Sequence, residues 1–449
     1  MDRLEYIFHD YIWQVIIAFL PTLVAYLWSI IQKKRLQKQV WICVGLFAVI
    51  VLLVLVIYVP ETPDTQDVPG PQDTIQEFVN GVEVSVVAGN GTMETNTLSI
   101  GDTIPIHDIR FCGLGSISND SSTLYAQDNS RLFALSGEDA SVLDSFYGEG
   151  DYEIRIVHAK EQDTYFLTEV WQEERDSSED GPYTALMMSF GRIRDGGCEL
   201  LGAEPFEVGY IDLETRKNKE MTNVVDFAIS SNHSIWFLEQ YTHLGDEGIV
   251  TLERLPYDSE TDSYGYQENW FTIPNVTCAD MEDAHIAFDK WDNLYISMPN
   301  CKEIMVVPSD VIQSTAYQEE CFVFAGEDWN ADETHKYIDG ENPVFYHPTA
   351  LSCWENYLYI WDRSAVRRIT VGGADKRLPT CEYCETLAGV FHDNLDSQKK
   401  PGPASGSGNT VIFAASDEAS LTVREDGHVF LSESNSEDNY IYLLSVLGE

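Results

Sequence analysis

Two kinds of hydrophobic pattern divide the chain. Near its start, 11–31 and 40–59 are apolar runs of about 20 residues each, and the second contains no charged side chain. A helix of that length crosses the hydrocarbon core of a bilayer. The pattern therefore predicts a membrane anchor over 1–60, a two-helix transmembrane hairpin with helices at about 11–31 and 40–59.

The residues that flank these runs set their predicted orientation. Four basic side chains, Lys33, Lys34, Arg35 and Lys38, lie between the runs, and acidic residues follow the second run. Because basic loops stay in the cytoplasm, we expect an integral membrane protein whose C-terminal domain lies outside the cytoplasm. The segment 61–80 is rich in proline and acidic residues, which predicts a linker.

From Gly81 onward, short strand-like runs alternate with turn residues. Six times, an apolar strand and a polar turn are followed by a strand led by an aromatic residue. These lead aromatics are Tyr125, Phe166, Trp236, Tyr295, Tyr359 and Phe430, on average about 61 residues apart. A four-stranded unit repeated at this length is typical of propeller blades. The pattern predicts an all-β domain over 81–449, a six-bladed β-propeller, rather than two unrelated β domains.

One unit carries a recognisable order of residues: Ala325-Gly326, Asp339-Gly340, Phe345 and Pro348. The Ala-Gly phrase recurs at 88–89 and 388–389. The last three units thus resemble the NHL-repeat family of propellers, a resemblance that implies fold far more than activity. It also implies that the strand at 82–89, which has no blade before it, completes the last blade and closes the ring.

The charge balance excludes one class of partner. The 449 residues include 27 basic and 74 acidic side chains, a net charge of −47. Such a surface repels phosphate backbones, so we expect no nucleic-acid partner. The expected partners are the membrane and a protein, peptide or glycan ligand on one propeller face.

Eight of the nine cysteines lie in the predicted propeller, and this even count predicts disulfides in an oxidising compartment. The candidates are Cys278, Cys301, Cys321, Cys353, Cys381 and Cys384. In the predicted strand order, the first two belong to one blade and lie on one face of the ring, and the next two lie on the opposite face of the ring in neighbouring blades. We expect both pairs to lie within bridging distance, with the last two bonded to each other or to one of these. Free thiols, or metal or redox chemistry at the C-x-x-C sequence, are the alternatives.

The turns after the second strands form the predicted ligand face. Its candidate residues are Asp128, Arg131, Asn300, Trp361, Asp362, Arg363 and Asn435. In the family that the chain resembles, the matching Asp and Arg often brace the turn itself. A purely structural role is therefore the alternative for these residues.

The sequence contains no catalytic motif and no metal-ligand spacing such as H-E-x-x-H. We therefore expect a membrane-anchored extracytoplasmic binding or sensory module without a cofactor, rather than an enzyme. The alternative is a metal-dependent lactonase- or lyase-like propeller enzyme, for which the innermost strands offer His158, Asp226 and His285 in the channel. A scaffold subunit whose hairpin binds another membrane protein is a third possibility.

Overall fold

The computed structural model describes residues 74–446 apart from 90–97, 100, 112, 121, 129–130, 146–153, 162, 178–180, 195–196, 213–217, 244–247, 314–320, 327–336, 374–377, 392–403, 414–418 and 435–438. The described chain is almost entirely β-structure. Its helical elements are short: two 3-10 helices, Ile106–Asp108 and Cys278–Met281, and the α-helix α1 (Ser309–Gln313).

The first half of the described chain holds three leading strands and three blades. The leading strands are β1 (Thr74–Ile75), β2 (Val82–Ala88) and β3 (Thr103–Pro105). Blade one consists of β4 (Leu114–Asn119), β5 (Leu124–Asp128), β6 (Arg131–Ser136) and β7 (Asp139–Ser145). Blade two consists of β8 (Ile154–Lys160), β9 (Asp163–Ser177), β10 (Gly181–Arg194) and β11 (Gly197–Asp212). Blade three consists of β12 (Asn218–Ile229), β13 (Ile235–His243), β14 (Ile249–Leu255) and, after the hairpin of β15 (Tyr257–Asp258) and β16 (Ser263–Tyr264), β17 (Glu268–Thr272).

The second half holds the other three blades. Blade four consists of β18 (Ile286–Phe288), β19 (Leu294–Met298), β20 (Glu303–Val307) and β21 (Phe322–Gly326). The short strand β22 (Tyr337–Ile338) pairs with β1 and precedes blade five, which consists of β23 (Pro348–Trp354), β24 (Tyr357–Asp362), β25 (Ala365–Gly372) and β26 (Thr380–Ala388). After β27 (Gly406–Ser407), blade six consists of β28 (Ser420–Val423), β29 (Val429–Ser434) and β30 (Asn439–Val446), with β2 as its fourth strand.

These strands form a six-bladed β-propeller, as the sequence pattern predicts. Within each blade, consecutive strands pair antiparallel. The six lead aromatics all lie on the second strand of their blade, on β5, β9, β13, β19, β24 and β29. Blades two and three are also joined edge to edge, because β11 pairs with β12.

The second strands are apolar on both faces because each blade is packed between two others. On β24, Leu358 and Ile360 lie in the core shared with blade four. The alternating residues Tyr359 and Trp361 lie in the core shared with blade six. A strand buried on both faces reads as a continuous apolar run rather than as an alternation, which explains the aliphatic–aromatic pairs.

The ring is closed by backbone pairing between the two ends of the described chain. Strand β2 pairs antiparallel with β30, from Val82 opposite Val446 to Ala88 opposite Ile441. Blade six thus takes three strands from the C-terminal end and its fourth from the N-terminal end. No free edge is left at the junction, which is how a propeller avoids edge-to-edge association.

The Ala-Gly phrases mark the same position in three blades. Gly89, Gly326 and Gly389 have φ angles of +93°, +98° and +97°. A Cβ at each of them would lie 2.3–2.4 Å from a backbone oxygen at the start of the third strand of its blade. Only glycine meets both conditions. The shared geometry shows that β2 occupies in blade six the place that β21 and β26 occupy in blades four and five.

The described residues contain no helix that is long and apolar enough to cross a membrane. Their one α-helix, α1, has five residues and a length of about 7.5 Å, against the ~30 Å of a hydrocarbon core. This finding contradicts the predicted localisation as an integral membrane protein. The predicted spans at 11–31 and 40–59 lie outside the described residues.

The predicted disulfides are not formed in the described chain. No disulfide is seen among the seven described cysteines, and Cys112 lies outside the described residues. Cys278, Cys301 and Cys321 border the core between blades three and four. The other three candidates, in contrast, pack into the core between blades four and five. Neither predicted pair, Cys278–Cys301 or Cys321–Cys353, therefore forms a disulfide, and the second pair is divided between two different inter-blade cores.

Replacing Val84 by Asp should lower the free energy of unfolding by about 3 kcal/mol or more, because an unpaired carboxylate would enter the core between blades five and six. The matched control is Ser85→Asp at the next, exposed position of β2, for which we expect a change within about 0.5 kcal/mol. Urea unfolding followed by tryptophan fluorescence measures both. Equal effects of the two variants would contradict the placement of β2 in blade six.

Thiol labelling tests the state of the cysteines. In the native protein, a maleimide should modify the exposed Cys198 and spare Cys384, since burial shields that thiol and raises its pKa well above the usual value. In denaturant without reductant, every described cysteine should react. Cysteines that react only after a reductant is added would show that disulfides form after all.

Candidate functional site

A polar cavity of about 200 Å³ lies where the six blades meet. It is lined by residues of every innermost strand: β4, β8, β12, β18, β23 and β28. Side chains from strands far apart in sequence therefore converge on one space. This is the central channel of the propeller.

The lining is polar because the innermost strands have open backbone edges. Each innermost strand pairs with the second strand of its own blade, and buried backbone N–H groups on its other edge need acceptors. Side chains of neighbouring blades supply them: Ala159 N donates to Ser118 Oγ at 2.7 Å, Ile117 N donates to Ser420 Oγ at 3.1 Å, and Ile286 N donates to Asp226 Oδ2 at 2.8 Å. The polar side chains thus join blade to blade.

Three of the lining residues form a cluster that we call the His–Asp–His cluster: His158, Asp226 and His285. His158 Nε2 lies 3.4 Å from Asp226 Oδ1, and His285 Nδ1 lies 3.2 Å from Asp226 Oδ2. The carboxylate side chain is 1% exposed, whereas the two imidazoles are 29% and 28% exposed. The cluster therefore has a buried negative centre and two imidazoles that border the cavity.

The electrostatics keep the centre of the cluster ionised. Burial alone would raise the pKa of the Asp226 carboxyl, but the charge of His285 and the hydrogen bonds from both imidazoles outweigh burial and hold that pKa well below its usual range. Two backbone amides add to this, because Phe227 N donates to Oδ1 and Ile286 N donates to Oδ2, each at 2.8 Å. The ring nitrogens that face the carboxylate are assigned as its donors.

Lys160, on the channel wall, forms hydrogen bonds within the protein. Lys160 Nζ donates to Ser230 O at 2.6 Å and to Ile229 O at 3.3 Å. Burial lowers the pKa of this ammonium group, against the opposing effect of Asp292 and Glu161. Lys160 therefore braces blade two against blade three.

The cluster does not fit a metal centre. Among the described residues, no group of three or more His, Cys, Asp or Glu side chains is arranged to hold a metal ion. Both oxygens of Asp226 already accept hydrogen bonds from a backbone amide and face an imidazole. A carboxylate used in this way has no lone pair left for a cation.

The predicted ligand-face residues of blade one brace their own turn. Asp128 is fully buried, forms an ion pair with Arg131 and accepts a hydrogen bond from Gly113 N at 2.8 Å. This is the structural role that the sequence left open as the alternative. A contact between these residues and a ligand stays a prediction.

Candidates of blades four and five also have structural roles. Asp362 is buried and accepts from His347 N at 2.7 Å and from Arg367 Nη1 at 3.0 Å. Trp361 lies in the core between blades five and six, and Asn300 Nδ2 donates to Ala279 O at 2.5 Å. Arg363 occupies the turn with a φ of +62°, and Asn435 lies outside the described residues.

The sequence named the three cluster residues as channel residues without joining them into a site. His158 lies on β8, Asp226 lies on β12, and His285 directly precedes β18. They therefore occupy the innermost strands of three consecutive blades, or adjoin them. That shared position in the repeat was the signal that could have grouped them.

Comparisons with known proteins add no family. No family model and no curated protein matches the chain, so the NHL-repeat assignment is not supported. Similar solved structures include regucalcin, a calcium-binding protein from Agrobacterium tumefaciens (11% identity, 78% of this chain and 96% of that chain, TM-score 0.39), and virginiamycin B lyase from Staphylococcus aureus (11%, 77% and 99%, TM-score 0.37). A glucose dehydrogenase is similar as well (11%, 81% and 99%, TM-score 0.39). Likeness at this level carries no argument about function, and the six-bladed ring rests on the strand pairing itself.

Replacing Asp226 by Asn should lower the free energy of unfolding at neutral pH by about 3 kcal/mol. The amide of Asn has only one acceptor oxygen, so it cannot accept hydrogen bonds from both Phe227 N and Ile286 N. The pKa of Asp226 is lower in the folded than in the unfolded chain, so the stability it contributes is complete above the unfolded pKa of about 4 and is lost as the pH falls below it. The difference between the two proteins should therefore shrink below about pH 4.

Urea unfolding of both proteins over a pH series measures this difference. The control is Asp108→Asn at an exposed position, where we expect little change at any pH. A constant difference between wild type and Asp226→Asn down to about pH 3 would contradict the assigned ionisation.

Proposed function

We propose that the chain is a β-propeller binding module whose central channel holds a small polar ligand. The observation that carries the proposal is the His–Asp–His cluster on the wall of a cavity that all six innermost strands border. A concave site with a few convergent polar groups is the usual form of a small-molecule site.

The cluster defines the chemistry of the ligand. When the imidazoles are neutral and each donates its N–H to Asp226, His158 Nδ1 and His285 Nε2 are left as hydrogen-bond acceptors. Ser352 and Thr422 add hydroxyl groups to the lining. The net charge of −47 repels anionic ligands. The ligand that fits is a small molecule that donates hydrogen bonds through hydroxyl, amide or amine groups.

The enzyme alternative would use the same cavity. A buried carboxylate that orients an imidazole is also the arrangement of a general base. No observation on the described residues favours the metal-dependent form of this alternative, because both oxygens of Asp226 already accept hydrogen bonds from protein groups. A protein, peptide or glycan ligand on the face formed by the second-to-third-strand turns is a separate proposal.

A fragment screen by ligand-observed NMR tests the channel site. We expect small hydrogen-bond donors to bind the wild type and to lose most of their binding to His158→Gln and His285→Gln, because the acceptor nitrogens at the cavity are removed. His107→Gln, at an exposed position on blade one, is the control and should bind as the wild type does. The proposal fails if no fragment depends on either channel histidine while all three variants keep the melting temperature of the wild type.

A further inference from the structure

A second concave feature lies between blades one and two, away from the channel. This cleft has a volume of about 370 Å³ and opens at the end of the ring where the first-to-second-strand turns lie. Its lining is mixed: Ala134, Leu143 and Ile193 are apolar, and the hydroxyl-bearing residues are Thr103, Thr123, Tyr125, Ser136, Ser141 and Thr164. Pockets that bind small molecules begin at about 300 Å³.

The cleft lies against the face of blade one that borders blade two, and this face carries several polar side chains. On β6, Phe133 and Leu135 point into the core with blade six, whereas Ala134 and Ser136 line the cleft. On β7, Ser141 lines the cleft in the same way. Successive side chains along a strand point to opposite faces, so the sequence of each strand determines which residues line the cleft and which enter the core.

The apolar core at this interface is correspondingly small. Its buried residues are Leu132, Val157 and Phe166. The cores at the other interfaces of blades one, three, four, five and six are much larger. Among the described residues, the cleft lies beside this small core.

Several polar side chains of the cleft are open to solvent. Ser136 and Asp139 are exposed and Ser141 is half-buried. Tyr125, in contrast, is held in place, because its hydroxyl group donates to Asp120 Oδ2 at 3.2 Å and is hydrogen-bonded to Thr164. The site therefore combines an oriented aromatic ring with solvent-accessible hydroxyl and carboxylate groups.

The composition of the lining selects one class of ligand. None of the described residues that line the cleft is basic, and the chain has a net charge of −47, so the described lining offers an anion no cationic partner. A purely apolar ligand would strip water from the hydroxyl groups without replacing their hydrogen bonds. Hydroxyl groups both donate and accept, and so do those of a sugar. Tyr125, Leu143 and Ile193 offer an apolar surface to the C–H face of a sugar ring.

We propose that the cleft between blades one and two is a binding site for a neutral saccharide of mono- or disaccharide size. Asp139 and Ser141 hydrogen-bond the sugar hydroxyls, and Tyr125 contacts the ring. The site shares no residue with the His–Asp–His cluster, so it is independent of the proposed function of the channel.

Saturation-transfer NMR with the full chain tests the site. The probes are glucose, galactose, mannose, N-acetylglucosamine and their disaccharides, with glucuronic acid and sialic acid as acidic counterparts. We expect a neutral sugar to bind and the acidic ones not to. Asp139→Asn combined with Ser141→Ala should weaken binding about tenfold or more, and Ser141→Leu, which fills the cleft, should abolish it.

Two control variants show whether a loss of sugar binding is specific to the cleft. Thr380→Leu makes the same kind of change at an exposed strand position of blade five and should leave binding unchanged. His285→Gln should also leave it unchanged, which separates this site from the channel. The proposal is overturned if no neutral sugar binds, if binding survives in Ser141→Leu, or if it is lost in His285→Gln while the melting temperature is kept.

Discussion

The structure depends on the open backbone edges of the six innermost strands. Apart from the start of β12, which also pairs with β11, each innermost strand has a backbone partner on one side only, and unpaired N–H groups in a closed interior are costly. In this protein, side chains such as Ser118, Ser420 and Asp226 accept hydrogen bonds from the innermost strand of the next blade. The channel is therefore polar as a consequence of the fold, before any ligand is considered.

Asp226 shows how one residue serves both stability and the candidate site. Its carboxylate accepts from two backbone amides on blades three and four and faces the imidazoles of His158 and His285. Because this uses its lone pairs, the residue cannot also bind a cation. What remains for a ligand is the outer nitrogen of each imidazole, held in orientation by the buried charge.

Other buried charges have a structural role only. Arg367 is fully buried and donates to Asp339 and Asp362 as well as to the backbone oxygen of Val344. Asp339 in turn accepts a hydrogen bond from Glu77 N at 2.7 Å, so the network ties the segment before β2 to blade five. Buried ion pairs of this kind are strongly destabilising when one partner is removed. The two proposed ligand sites differ from this network because their polar groups border open cavities.

The sequence by itself determined the six-bladed ring. The short apolar runs between turn residues, the recurrence of the lead aromatics and the Ala-Gly phrases at 88–89, 325–326 and 388–389 are local signals of strands and turns. Only the tertiary structure decided that the described cysteines form no disulfide, that Asp128 and Asp362 brace turns, and that His158 and His285 meet at Asp226. These outcomes depend on distances between side chains of different blades. Such distances follow from the curvature of the ring and from the hydrogen bonds that the innermost strands require, and neither is encoded in the pattern of any single strand.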